Sequence, residues 1–99
     1  MYEIVFAPSV VKDLKAVRMF DRARIMDEIE EQLSQEPAVE TRNRKLMPHL
    51  EPPFEAVPPI WELRVGQYRV FYDVGREDQK VYVRAVRHKP PHKTTEEIL

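Results

Sequence analysis

The sequence predicts an α+β domain: two N-terminal helices packed on one face of a small, largely antiparallel, four-stranded sheet, ordered β-α-α-β-β-β. Three observations carry this. Apolar residues between Val10 and Leu33 recur at intervals of three and four. From Ile60 onward they alternate at an interval of two. After the first strand there is no strand–helix–strand rhythm, which argues against a parallel sheet.

Tyr2 to Phe6 alternates aromatic and β-branched residues and reads as a strand. Pro8 suits a first helical turn and Ser9 can cap one. Val10, Leu14 and Val17 then mark a short amphipathic helix ending near Arg18. Asp21 is the next candidate cap, followed by Ile25, Ile29 and Leu33 on one stripe with Met26 beside them. This second helix should end before Pro37, because the residue ahead of a proline is pushed out of the helical region.

Residues 37–59 hold six prolines and read as one long connection, of the kind that is either functional or mobile. Within it Leu46 and Phe54 are expected to tuck against the core, while Arg42, Arg44 and Lys45 stay in water. Trp61, Leu63 and Val65 face one side of the next strand, and Glu62 and Arg64 the other. Gly66-Gln67 permits a tight turn into a return strand, Tyr68 to Val74. Residues 75–80 form a polar hairpin connection, Val81 to Val86 a last strand, and residues 95–99 a short helix or a frayed end.

Ninety-nine residues make a single domain, 1–99, with one modest core. There is no run of about 18 apolar residues, so no helix is expected to span a membrane. The N-terminus lacks the pattern of a signal peptide. Without cysteine there is no disulfide, thiolate metal site or Cys nucleophile, and a cytoplasmic protein is expected. The net charge of −1 hides an asymmetry: residues 1–40 carry nine acids and five bases (−4), residues 41–99 eight acids and eleven bases (+3). A near-neutral total argues against tight, indiscriminate nucleic-acid binding.

The strands carry outward cations: Arg64 and Arg69 on the first pair, then Arg84, Arg87, His88, Lys89, His92 and Lys93 on or after the last. A sheet so furnished suits an anion, RNA first among them. Two glycines leave no room for a phosphate loop, and Pro90-Pro91 forbids the helix on which His88 and His92 would share a metal, so no cofactor is expected. What remains is anion binding or metal-free phosphodiester cleavage. Cleavage needs a base for the 2′-hydroxyl, a cation for the phosphate and an acid for the leaving oxygen. Arginine supplies the second through its fixed fork of donors, and histidine the first or third. Arg64, Arg69, Lys89, His88 and His92 form the candidate catalytic set, with Arg44, Lys45, Arg87 and Lys93 as RNA-binding candidates. The plain alternative is that these are solubility charges.

The segment LRVGQYRVFYDV, a polar hairpin and VYVRAVRHK, preceded by YEIVFAPSVVKDLK and NRKLMPHL, resembles the RelE/ParE superfamily of toxins of bacterial type II toxin–antitoxin systems. That resemblance covers nearly the whole chain and is most specific from Leu63 to Tyr72. It implies a cognate antitoxin wrapping the toxin in a hetero-oligomer. It also implies ribosome-dependent mRNA cleavage in RelE-like members, or poisoning of DNA gyrase in ParE-like ones. Arg69 matches the arginine that contacts the scissile phosphate in RelE-like toxins, and Arg64 their supporting basic position. Lys89 stands where they usually carry a catalytic arginine, and His92 resembles the histidine of other RNase branches. The chain departs from RelE where Ile60 and Glu62 replace lysines and where the C-terminal tyrosine has no match.

The reading that follows is a metal-independent, ribosome-associated mRNA endonuclease. The rivals are a gyrase-binding toxin and an inactive, antitoxin-binding relative. An exposed Phe71 beside the basic strip is expected to receive a partner's helix or extended segment.

Overall fold

The computed structural model describes all 99 residues. Its elements are β1 (Glu3–Phe6), α1 (Pro8–Lys15), α2 (Met19–Leu33), β2 (Arg44–Met47), β3 (Ile60–Val65), β4 (Tyr68–Gly75), β5 (Lys80–His88) and α3 (Thr95–Ile98). The strands form one five-stranded sheet in the order β1-β5-β4-β3-β2. β1 runs parallel to β5 and the other three pairings are antiparallel. The sheet therefore has one strand more than the sequence predicts. The extra strand, β2, lies inside the proline-rich stretch: Arg44–Met47 is bounded by Thr41 and Pro48 and pairs along the edge of β3.

The two helices lie where the periodicity places them, α1 against β5 and α2 against β3. Val10, Ile25, Ile29 and Leu33 meet Leu63, Val70, Tyr72, Val81 and Val83 in the main core. Pro8 occupies the first turn of α1, but the cap position falls on Ala7 and Ser9 does not cap. Asp21 lies inside the first turn of α2, where a carboxylate favours the helix dipole, rather than at its cap. Past α2 the Tyr72 hydroxyl donates to Pro37 O at 2.7 Å, fixing the chain where the helix ends. Burial pushes the Tyr72 phenol's pKa well up.

Two corrections concern what the sheet's other face carries. Phe71 is fully buried, not exposed: with Ile60 and Ala85 it forms a second core, covered by Leu50, Phe54 and Ala56 of the loop and by Ile98 and Leu99. Arg44 is buried as well, not wet; its guanidinium donates to Val39 O and Gln32 O and ties the loop to the end of α2. The proline-rich stretch is thus packed structure. Burying it gives the sheet a covering on both sides.

α3 closes that second face. Thr94 and Glu97 form a reciprocal capping box, and their hydrogen bonds hold the Glu97 carboxyl's pKa below its ordinary value. A carboxylate depressed in this way stabilises the fold above its unfolded pKa and loses that contribution as pH falls through its folded one. Amide protection factors over residues 94–99, each rate compared with the intrinsic rate at the same pH, are therefore expected to fall as pH drops from 4.5 downward. Those of the central strands should not change with it.

Candidate functional site

The two-residue turn at Gly66-Gln67 sets the register of the basic face. Gly66 sits at φ 56°, a conformation glycine adopts without penalty and which suits the first central position of a type II′ turn. Arg64 consequently stands directly opposite Arg69. A bulge between β4 and β5, beside Phe71 and Tyr72, leaves Arg84 without a partner in the register and shifts the pairing by one residue. Arg87 thereby falls opposite Arg69, and three arginines form one row across three strands on the face away from α1 and α2.

The row is unevenly available. Arg69 is 7% exposed. One of its guanidinium nitrogens donates to Gly66 O at 2.9 Å and Tyr68 O at 2.8 Å, and its Nε lies 3.8 Å from Glu62 Oε1. Glu62, also buried, accepts from the Thr95 hydroxyl at 2.7 Å, which brings α3 down beside the pair. Burial lowers the Arg69 pKa, Glu62 raises it, and the charge on Arg64 lowers it. Arg87 donates to Asp13 of α1 at 2.9 Å and lies over the Phe54 ring at 5.9 Å. The same carboxylate caps the Val86 N–H at 3.0 Å, where β5 runs on past the end of β1. Arg64 alone of the row is exposed and unpaired.

The remaining candidates are dispersed. Lys89 is half-buried just past β5, its backbone N–H donating to Gln67 O at 2.6 Å. His88 stands opposite Tyr68 on the helix side of the sheet, its ring 5.2 Å from the tyrosine ring. His92 and Lys93 are exposed in the loop leading to α3, and Lys45 is exposed on β2. The structure therefore brings together Arg64, Arg69 and Arg87, sets His88 on the opposite face, and places Arg44 in the interior.

Sequence reasoning missed the carboxylates that occupy these cations: Glu62, Asp13 and Asp73. Asp73 is 3% exposed and accepts from Arg84 Nε at 2.7 Å, Arg84 Nη2 at 3.2 Å and the Val57 N–H at 3.1 Å. That pairing raises the Arg84 pKa. A signal for Glu62 was present in the turn. Once Gly66-Gln67 pairs Arg64 with Arg69, Glu62 must lie diagonally across from Arg69 on the same face.

The family model described as "ParE toxin of type II toxin-antitoxin system, parDE" matches residues 4–89. The chain belongs to that family. Solved structures agree on the fold of this toxin. It is similar to a chain of the RelBE2 toxin–antitoxin complex of Mycobacterium tuberculosis, at 25% identity over 89% of this chain and 98% of that one, with a TM-score of 0.66. A chain of the RelB–RelE antitoxin–toxin complex of Methanococcus jannaschii is similar at 27% identity, covering 85% and 88%, with a TM-score of 0.61. The isolated RelE toxin of Escherichia coli shares the fold at 18% identity, covering 98% and 94%, with a TM-score of 0.69. No curated protein sequence matches it.

The protein is thus a toxin of a type II toxin–antitoxin system. None of its helices is long and apolar enough to cross a membrane.

Proposed function

We propose that this toxin acts by binding a target protein, in the manner of ParE-like members that poison DNA gyrase, and not by cutting RNA. The observation that carries this reading is the state of Arg69. Arg69 is only 7% exposed, one of its guanidinium nitrogens is taken by two carbonyls and its Nε faces a buried carboxylate, so it offers a phosphate little surface. A cleavage site also needs a proton carrier beside the phosphate grip, and His88 sits on the opposite face. Binding asks for less: exposed apolar side chains such as Val11, Met19 and Phe20 on α1 and the start of α2 offer contact area. The toxin works in the cytoplasm, and its partner at rest is a cognate antitoxin, as in the RelBE2 and RelB–RelE complexes.

The arginine row favours a second reading, a ribosome-associated ribonuclease in which Arg64, Arg69 and Arg87 hold the phosphate once α3 lifts away. Lys89 and His92 would then supply charge and protons. Purified toxin separates the two. Added to a translating extract it is expected to leave mRNA at full length, and added to gyrase it is expected to stop supercoiling. Cut mRNA with untouched supercoiling favours the ribonuclease, and no effect in either assay favours an inactive, antitoxin-binding relative.

A further inference from the structure

The β3–β4 turn ends against the first turns of α2, and between them lies a cleft of about 340 Å³ on the helix side of the sheet. Arg18, Asp21 and Arg24 line it from α2 and its cap, and Gln67, Tyr68 and His88 from the strands. Two guanidiniums face one carboxylate, a balance of +1 before His88 is counted. Asp21 engages only Arg18, at 3.7 Å and through a side chain that is 89% exposed. Arg24 has no carboxylate partner, and its guanidinium rests on Gly66, one nitrogen 2.9 Å from where a Cβ would stand. The missing side chain at residue 66 is what makes room for it. His88 Nε2 meets Gln67 Oε1 at 3.2 Å, which leaves the Gln67 amide hydrogens unspent, and the His88 ring tilts over Tyr68.

We propose that this cleft binds a phosphate group of a single nucleic-acid strand. Arg24 and Arg18 hold the phosphate oxygens, the Gln67 amide donates a third hydrogen bond, and the Tyr68–His88 pair receives the adjacent base by stacking. A carboxylate would use the forks equally well but would leave the aromatic pair idle, so a nucleotide fits the set better than an acidic peptide. The site is separate from the arginine row, which lies on the other face. It stands whether the toxin acts on a protein or on RNA.

Amide NMR of the full chain tests it, with a short oligothymidylate, inorganic phosphate and a glutamate-rich peptide as probes. The oligonucleotide is expected to shift the signals of Gly66, Gln67, Tyr68 and His88. Arg24→Gln should weaken that binding about fivefold or more. Arg42→Gln, the same loss of charge at an exposed position elsewhere, should leave it unchanged. Equal weakening in both variants, shifts confined to the Arg64 face, or binding of the peptide alone would overturn the proposal. Shifts with inorganic phosphate but none with the oligonucleotide would overturn the assignment to a nucleic-acid strand.

Discussion

Asp73→Ala is expected to cost about 3–5 kcal/mol of folding stability, the range for removing one member of a buried ion pair. Asp73 accepts three hydrogen bonds at the far end of the second face. Its loss strands the mostly buried Arg84 guanidinium and leaves the Val57 N–H without its acceptor. In a domain of this size that corresponds to a fall in Tm of roughly 15–30 °C, readable by thermal denaturation. Asp73→Asn keeps an acceptor oxygen and should cost less. If Asp73→Ala melts within a few degrees of the parent, the network that pins the proline-rich loop to β4 and β5 contributes little and the packed second face needs another explanation.

Glu62→Ala is expected to destabilise by about 3 kcal/mol, the low end of the same range. The low end applies because Gly66 O and Tyr68 O still accept from Arg69 after the carboxylate is gone. Two losses add up here: an uncompensated cation in the interior, and the Thr95 hydroxyl's acceptor beneath α3. Replacing both charges, Glu62→Leu with Arg69→Met, removes the stranded cation and should restore most of the stability, since buried ion pairs and apolar pairs of similar volume are often equivalent. Urea denaturation of the parent, the single and the double variant reads the difference directly. A double variant no more stable than Glu62→Ala would mean that Arg69 is held by its carbonyls and not by Glu62.

The parts of this fold that were legible in the sequence are those written as periodicity. Val10, Ile25, Ile29 and Leu33 announce the helix stripe, and Trp61, Leu63 and Val65 the strand face that meets it. β2 was not legible: four residues, RKLM, among six prolines carry no alternation strong enough to distinguish a strand from a loop. The bulge on β5 was invisible for a related reason. It turns Val83 and Val86 to the same face, where strict alternation would put them on opposite ones.

The candidate site was legible in its residues but not in its state. The sequence locates Arg64 and Arg69 together because a two-residue turn must pair them. It cannot say that Glu62 and Asp13 take up the charges, because Asp13 is 74 residues from Arg87 and is brought there only by the packing of α1 on β5. Phe71 shows the same limit. An aromatic residue on the polar face of a strand reads as exposed until the covering loop and C-terminus are in place.

Growth arrest by the Glu62→Leu/Arg69→Met double variant, confirmed as folded, bears most directly on whether this toxin binds or cuts. If Arg69 serves only the interior, cells expressing the variant should stop growing as they do with the parent protein. A folded variant that no longer arrests growth, beside a parent that leaves cut mRNA, would make Arg69 a participant in cleavage and contradict the binding account.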